Sequence, residues 1–562
     1  MIRDQRARQL KAVRLLYMLC CAAFLLALAH MHSQIVSHPV PLDLNEAAFP
    51  TVTATIASGE SPYSFKNQPA RMSLYPVLYN IVVVPFSLAF GNSLELHRAI
   101  NGVFILACCL VLFLITKNAG GSILDSIAAS AILYAGLLFN STPIASANGL
   151  GLLLFLTSIF IPWHYHFSNR SLLTALILGA LAFYTKQYFV ACLGYVALYL
   201  FIAVSKKKAI VFGLFSLLLI IASLAVVNYF SPYYADNTIF GIKAAGSLVG
   251  SSQNTSKQLL EFGRVYLALL GIAGILAFQK IRALGKIDRF GSKGRTVKEP
   301  HKRVNLTDID APLLSQAPDY LWVCVACSLV IILFSLGKNP GNHMTYLFQL
   351  MSPFLLAGIF SRASRLPVLR WLTPLLATMA FYSNYAMLSQ DFSVDEKNWN
   401  RLRHLMSEAK EVYAPTALVF EIIRNGGEVY QNGHTNYFPF AQSKPIFFAK
   451  ENPEDSIAEI WKNYVHVINQ KINDQEFDLI ILDQWTQLPV AFSMPDPSIF
   501  NPELLQSAMI TQSLMADSQL KNNYRRSEVI SLSLTSRPGG GVLRMSIWEP
   551  LRDAERSEVS KP

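Results

Sequence analysis

The sequence predicts an α-helical, polytopic membrane protein that ends in a C-terminal α/β domain. Of its 562 residues, 52% are hydrophobic and only 15% are charged, and apolar runs follow one another as far as residue 387. Soluble globular domains carry about 25% charged residues, whereas a helix needs about 20 apolar residues to cross a bilayer. We therefore expect about 11–13 transmembrane helices in residues 1–387 and a separate domain in residues 388–562.

The first apolar run, Val13 to Ala29, follows a basic N-terminus. A signal peptide has the same pattern, but no small-x-small cleavage site follows cleanly and many apolar runs come later. The favoured interpretation is an uncleaved signal anchor with the N-terminus in the cytoplasm. Further runs of roughly span length lie at about 74–90, 99–116, 122–139, 148–163, 171–185, 188–205, 209–230, 259–279, 319–336, 346–361 and 367–386.

The net charge of +11 is concentrated beside apolar runs rather than spread over a surface. Basic residues cluster at Lys206–Lys208, within the polar segment 281–318, and at Arg362 and Arg365. Such clusters are typical of cytoplasmic anchors, so we expect a bilayer and no nucleic acid as the partner. These clusters place residues 388–562 outside the cytoplasm.

Counting forward from a cytoplasmic N-terminus gives the opposite side by residue 140. One candidate run between residues 74 and 139 is therefore expected not to span, either because it is re-entrant or because two runs form one broken helix. Eleven true spans would reconcile both ends of the chain.

The tail beyond residue 388 is richer in charge and shorter in periodicity. Its pattern predicts amphipathic helices over Lys397–Val412 and Glu454–Gln470. Short apolar runs predict buried strands at Ala417–Ile423 and Phe477–Asp483, and glycines at Gly539–Gly541 predict a turn before a strand that reaches Trp548. A small α/β domain is the simplest arrangement of these elements.

The first loop, residues 31–73, carries the residues that suggest chemistry. Asp43 and Glu46 follow the first apolar run, and residues 45–58 have an amphipathic pattern that ends at Gly59, a helix stop. A short helix on the membrane surface fits this pattern. Tyr63 lies four residues after Gly59, and Tyr75 is followed by proline at the start of the next apolar run.

This order of motifs resembles the GT-C superfamily of membrane glycosyltransferases, and most closely its bacterial protein O-mannosyltransferase and aminoarabinose-transferase types. Three further elements of this chain occur in the same order as in that family: Phe90-Gly91 followed by Arg98, Leu181-Ala-Phe-Tyr-Thr-Lys186-Gln187, and Gly341-Asn342-His343-Met-Thr-Tyr346. The resemblance covers most of residues 1–387, and an outer α/β tail is also common in the family.

The resemblance implies transfer of a sugar from a polyprenyl-phosphate donor to a glycan, lipid or protein acceptor at the outer face of a bacterial inner membrane. It implies a loop acid as the general base, and Glu46 is preferred to Asp43, which could instead cap the helix. Lys186, and second Arg98, would bind the donor phosphate as the bond breaks. Residues that would contact substrate are Tyr63, Tyr75, Asn148, Gln187, Asn342, His343 and Tyr346.

Asn148 is a departure from the family, because many relatives carry a second acid there and an amide cannot act as a base. With a single loop acid as base, no cofactor is expected and a divalent metal is not expected to be obligatory. Simpler interpretations stay open: Lys186 could extend to the interface, and Tyr63 and Tyr75 could be interfacial anchors. The alternative functions are a lipid-linked sugar transporter or flippase, and a non-catalytic protein derived from the same fold.

Overall fold

The structure is a computed structural model. It describes residues 2–39, 41–42, 46, 48–140, 145–241, 256, 320–335, 346–363, 396–415, 418–431, 435, 453–483, 520–534 and 541–551. The predicted spans 259–279 and 367–386 and the basic segment 281–318 lie outside the described residues.

The described part of residues 1–387 is helical. Its helices are α1 Ile2–Ser37, α2 Ala48–Ala57, α3 Leu78–Phe90, α4 Leu94–Asn118, α5 Ile123–Asn140, α6 Asn148–His164, α7 Asn169–Phe183, α8 Ala191–Tyr199, α9 Lys206–Phe230, α10 Tyr320–Ser335 and α11 Ser352–Ala363. Short 3-10 turns lie at Phe65–Asn67 and at Gln187–Val190, just before α8, and π-helical turns lie at Leu200–Val204, Asp236–Gly241 and Leu347–Met351.

Among the described residues, four helical segments are long and apolar enough to cross a membrane: Ala12–Ser37, Leu94–Asn118, Gln187–Val204 and Lys206–Phe230. Shorter apolar helices surround them, such as Ile123–Leu138 and Asn148–His164. The predicted helical, membrane-associated character of this part of the chain is therefore supported by length and composition. Its side chains agree, since many large hydrophobic residues face outward along α9, as expected for a helix surrounded by lipid.

Successive helices run in alternating directions, so the bundle has two distinct ends. At one end the C-terminus of α4 contacts the C-terminus of α6, where His164 Nδ1 and Asn118 Oδ1 are 2.9 Å apart. Tyr320 of α10 packs there on Tyr199, with ring centroids 4.5 Å apart, and Arg362 of α11 lies over the Trp322 ring. We call this the basic end, because Lys117, Arg170, Lys206–Lys208 and Arg362 lie there.

At the opposite end, α4 begins, α5 finishes, α6 begins and α7 finishes. We call it the loop end and define it by Arg98, Ala145 and Lys186, which lie near these helix termini. Glycines allow α6 to pack closely here: a Cβ on Gly149 would lie 2.2 Å from Asn101 Oδ1, and one on Gly151 would lie 2.4 Å from the Phe189 ring. Small residues at such contacts are how helices approach each other within a membrane.

The first loop contains the predicted short helix, α2. Gly59 adopts a left-handed conformation (φ +79°) that ends it, and the N–H groups of Gly59 and Glu60 donate to the carbonyls of Ile56 and Thr55. Most of α2 is buried, including Phe49, because α3 packs on one side of it and the C-terminal domain packs on another.

Helix α3 occupies most of the run predicted at 74–90, but its 13 residues give a length of only about 20 Å. A hydrocarbon core is about 30 Å thick. Both ends of α3 hold the start of α2: Asn80 Nδ2 donates to Phe49 O at 2.9 Å, and Asn92, just beyond α3, donates to Pro50 O at 2.8 Å. Helix α3 therefore lies along α2 at the loop end instead of extending to the basic end.

Among its described residues, the C-terminal part contains the helices α12 Glu396–Glu408, α13 Val419–Arg424 and α14 Pro453–Asn473. Its strands there are β1 Val412–Tyr413, β2 Leu479–Asp483, β3 Tyr524–Leu534 and β4 Gly541–Pro550. The sheet order is β1-β2-β4-β3, with β1 and β2 parallel and the other pairs antiparallel. The predicted helices over Lys397–Val412 and Glu454–Gln470 correspond to α12 and α14. The strands predicted at Phe477–Asp483 and before Trp548 correspond to β2 and β4.

The strand predicted at Ala417–Ile423 is wrong, because the described residues there form the short helix α13. A short apolar run does not distinguish a buried strand from a buried helix. Here Phe420 stacks on Trp399 of α12, with ring centroids 6.2 Å apart, and Val419 and Ile422 are buried beside it. The sequence analysis also did not predict β3, whose solvent-facing Arg525 and Arg526 obscure its apolar alternation.

The C-terminal domain rests directly on the loop end. Leu94 of α4 and Ala145 belong to the same buried cluster as Trp399, Leu418 and Phe420. Thr435 Oγ1 donates to the carbonyl of Pro69 in the first loop at 3.0 Å. The hydrophobic core of this domain is thus completed by residues of the helical bundle.

Candidate functional site

The most chemically distinctive group at the loop end is Lys186, which lies in extended backbone between α7 and the 3-10 turn. Its Nζ donates to Asn148 Oδ1 at 2.9 Å. The same ammonium lies 4.8 Å from the centroid of the Tyr75 ring and 5.5 Å from that of the Tyr188 ring. Cation–π contacts of this kind contribute roughly 0.5–2 kcal/mol each, so the two rings help to hold the ammonium in place. The Lys186 side chain is half-buried.

Asn148 is the first residue of α6 and is only 7% exposed. Its amide oxygen accepts a hydrogen bond from Lys186 and carries no negative charge. A carboxylate at the same position would form an ion pair with the ammonium.

Two further polar side chains join the group from a distant part of the chain. The Tyr188 hydroxyl donates a short hydrogen bond to Gln349 Oε1, and it lies 3.5 Å from Asn148 Oδ1. Tyr346 packs edge-on against Tyr188, with ring centroids 4.8 Å apart. We call Tyr75, Asn148, Lys186, Tyr188, Tyr346 and Gln349 the lysine cluster.

Gln349 is fully buried in the π-helical turn Leu347–Met351, and in the described part of the chain its amide nitrogen has no hydrogen-bond partner. Single π turns inside helices are frequent at functional sites. Gln349 and Tyr188 were not among the site residues predicted from the sequence. A polar residue inside the apolar run 346–361 was the available signal for Gln349, because such residues within a membrane are commonly functional.

Glu46 and Arg98 form a buried ion pair beside this cluster, and both side chains are 0% exposed. Glu46 Oε1 accepts from Arg98 Nε at 2.8 Å and from Ala145 N at 2.8 Å. Its Oε2 accepts from Arg98 Nη2 at 2.7 Å and from Leu42 N at 2.5 Å. A carboxylate has about four acceptor positions, so this one is fully occupied.

This geometry opposes the roles expected for the pair. A base must be within reach of the acceptor's proton, and Glu46 is enclosed by protein donors. Arg98 also donates through Nη1 to the carbonyls of Ile35 and His38 at the end of α1, so its guanidinium is directed into the protein and not toward a lipid phosphate.

Two predicted substrate contacts serve the packing of the first loop. The Tyr63 hydroxyl donates to Tyr75 O at 2.6 Å, and its ring packs edge-on against Tyr234 at 4.9 Å. Burial raises the pKa of Tyr63 well above its ordinary value, so the phenol stays protonated. Gln187 Nε2 donates to the carbonyls of Leu74 and Thr238, which ties the segment after α9 to the first loop.

The structure therefore brings together Lys186, Asn148, Tyr75 and Tyr346 of the predicted site residues, and it places Glu46 and Arg98 in a separate pair nearby. Asp43, Asn342 and His343 lie outside the described residues. Within the described ranges, no group of three or more His, Cys, Asp or Glu side chains could hold a metal ion. The expectation that no metal is obligatory stays a prediction.

No protein-family model matches the chain, and no curated protein matches it at a significant level.

Proposed function

We propose that this protein is a GT-C-like glycosyltransferase that moves a sugar from a polyprenyl-phosphate donor to a glycan, lipid or protein acceptor at the outer face of a membrane. The observation that carries the proposal is the lysine cluster. It combines one oriented ammonium with aromatic rings and neutral amides at one end of an apolar helical bundle. This combination suits a donor with an anionic headgroup, a sugar and a long apolar tail.

In the expected reaction, Lys186 stabilises the negative charge of the departing lipid phosphate. The bond between the sugar's anomeric carbon and the phosphate oxygen breaks as the acceptor oxygen bonds to that carbon. Negative charge grows on the departing lipid phosphate, and a fixed cation there lowers the barrier. Because Glu46 is enclosed by its partners, we assign removal of the acceptor's proton to Asp43, the other acid between the first apolar run and α2.

We infer eleven spans and an outer location for the C-terminal domain. Nine spans would be α1, α4, α5, α6, α7, α8 with its flanking turns, α9, α10 and α11, and two would be the runs at 259–279 and 367–386. Helix α3 is the run that does not cross, since both of its ends lie against α2. The excess of basic residues at the basic end supports its cytoplasmic placement, which puts the lysine cluster outside.

The direct test uses the purified full chain in lipid nanodiscs, with undecaprenyl phosphate as the probe and undecaprenol as its uncharged counterpart. We expect the phosphate to bind at least about tenfold more tightly than the alcohol, and Lys186→Met to remove that preference. The matched control is Lys66→Met. It deletes the same charge from the same loop end, where Lys66 is exposed and pairs with Glu60 at 2.7 Å.

Equal binding of the phosphate and the alcohol, or equal losses in the two variants, would contradict phosphate recognition by Lys186. Activity is then followed with a radiolabelled polyprenyl-phosphate sugar and membrane extract as the acceptor source. Transfer of the label to extract material supports the enzyme. Movement of the labelled lipid across a vesicle membrane without transfer would identify a flippase instead.

A further inference from the structure

The buried ion pair between Glu46 and Arg98 joins four separate segments at the loop end. Arg98 of α4 bonds through two nitrogens to the carboxylate, and a third nitrogen bonds to the carbonyls of Ile35 and His38 at the close of α1. The carboxylate also accepts from the backbone of Leu42 in the first loop and of Ala145 before α6. The pair thus fixes α1, the loop, α4 and the turn before α6 relative to one another.

This network continues into the lysine cluster through that turn. Ala145 is three residues before Asn148, whose side chain holds Lys186 at 2.9 Å. One residue beyond Asn148, the Gly149 N–H donates to Asn101 Oδ1 at 3.1 Å. Asn101 follows Arg98 by about one turn of α4. Helix α4 therefore secures the backbone after Asn148 directly through Asn101, and the backbone before it indirectly, through Arg98 and Glu46.

The bonding pattern also explains why charged groups are used in the interior. Two backbone N–H groups need an acceptor, and two helix-terminal carbonyls need a donor, all at positions without water contact. A carboxylate and a guanidinium satisfy these groups and each other with fixed directions. Removing only one member leaves a buried charge without its partner, which is far more disruptive than replacing both.

We propose that Glu46 and Arg98 are a positioning pair. They orient the 145–149 segment, and hence Asn148 and Lys186, and they exchange no proton with the substrate. This inference rests on the proposed function for its catalytic consequence. It makes Glu46 essential for efficient transfer even though its carboxylate touches neither donor nor acceptor.

The test compares Glu46→Gln, Arg98→Met and the double variant carrying both changes, in the full chain in nanodiscs. The Gln amide oxygen can still accept from Ala145 N, and Met fills part of the Arg98 volume without charge. We expect each single change to weaken undecaprenyl phosphate binding and slow transfer by about tenfold or more. The double variant recovers at least about half of that loss on a logarithmic scale.

The matched control is Glu95→Gln, which neutralises an exposed acid in the first turn of the same helix. It should change neither property by more than about twofold. The pH dependence of transfer provides a second readout. A positioning role leaves the pH profile of the double variant like that of the wild type, whereas loss of a base removes its acidic limb.

A double variant that binds the phosphate normally and transfers no better than Glu46→Gln would overturn the inference, and so would a lost acidic limb. Hydrogen exchange of the peptide spanning residues 145–149 separates this result from failure of the proposed function. If the wild type neither binds nor transfers, a positioning role still predicts that this peptide exchanges faster in each single variant than in the wild type. It also predicts that the peptide exchanges more slowly in the double variant than in either single variant. Identical exchange in all four proteins would refute it.

Discussion

Replacement of Gly149 by alanine tests the close contact between α4 and α6. The added Cβ would lie 2.2 Å from Asn101 Oδ1 and 3.1 Å from the Asn101 backbone oxygen. The Asn101 side chain is fully buried, and its Oδ1 accepts from Gly149 N. The side chain must therefore rotate away, which breaks this hydrogen bond, and the backbone of α6 must shift from α4.

The two effects set the expected magnitude. Overpacking a filled interior costs about 1–3 kcal/mol, and leaving a buried N–H without its acceptor costs about 1–3 kcal/mol. If the two costs simply added, they would total about 2–6 kcal/mol. Because α6 can relax both at once by moving, we expect a total in the lower half of that range, about 3 kcal/mol. Asn148 moves with Gly149, so undecaprenyl phosphate binding should weaken as well.

The assay is thermal unfolding of the purified protein in detergent, followed by the loss of monodisperse protein on size exclusion. Gly194→Ala in α8 is the matched control, because a Cβ there would have no atom within 4 Å. Alanine is the better helix former by about 1 kcal/mol, so this control should melt at the wild-type temperature or above it. Equal midpoints for Gly149→Ala and Gly194→Ala would refute the steric argument.

Three further substitutions test other features. Asn148→Asp should pair a carboxylate with Lys186 and weaken undecaprenyl phosphate binding about tenfold at unchanged melting temperature; tighter binding would show that the cluster needs an acid. Asn80→Leu removes the donor to two buried acceptors on α2 and should destabilise the protein by about 1–3 kcal/mol in the same melting assay. Asn92→Ala deletes a part-buried amide that bonds to Pro50 O and to His97 Nε2, and its effect should not exceed that of Asn80→Leu. Burial raises the pKa of Glu421, so its protonation stabilises the fold and this stabilisation is lost as pH rises through that pKa. Glu421→Gln should therefore gain stability relative to the wild type as the pH rises above the ordinary carboxyl pKa of about 4.5, and a stability difference that does not change with pH would contradict the shift.

The sequence was sufficient for features that depend on neighbouring residues. The period of apolar residues predicted α12 and α14, and the left-handed conformation at Gly59 ends α2 where a helix stop was expected. The same pattern cannot distinguish a helix that crosses a bilayer from one that lies along another helix. Helix α3 is apolar enough for either, and the difference comes from the bonds that Asn80 and Asn92 make to α2.

The candidate site was predictable where it depends on neighbouring residues and not where it depends on packing between distant segments. Lys186 stands out as a cation at the end of an apolar run, and its proximity to Asn148 agrees with their expected placement at one end of the bundle. The partner of Glu46 could not be read from the sequence, because Arg98 lies 52 residues away and the choice depends on how α1, α4 and the loop pack. Gln349 reaches Tyr188 across 161 residues and is likewise determined by packing.

The contact between Thr435 and Pro69 has a consequence for how the protein is made. Its two residues are 366 positions apart, and ribosomes add about 5–20 residues per second, so the first loop waits roughly 20–70 s for the segment that covers it. During that interval Leu94 and Ala145 lack the apolar surface that later buries them. A chaperone or an insertion factor that shields newly made hydrophobic surface would find its substrate in this window, and a chain truncated before residue 396 would remain in that state permanently.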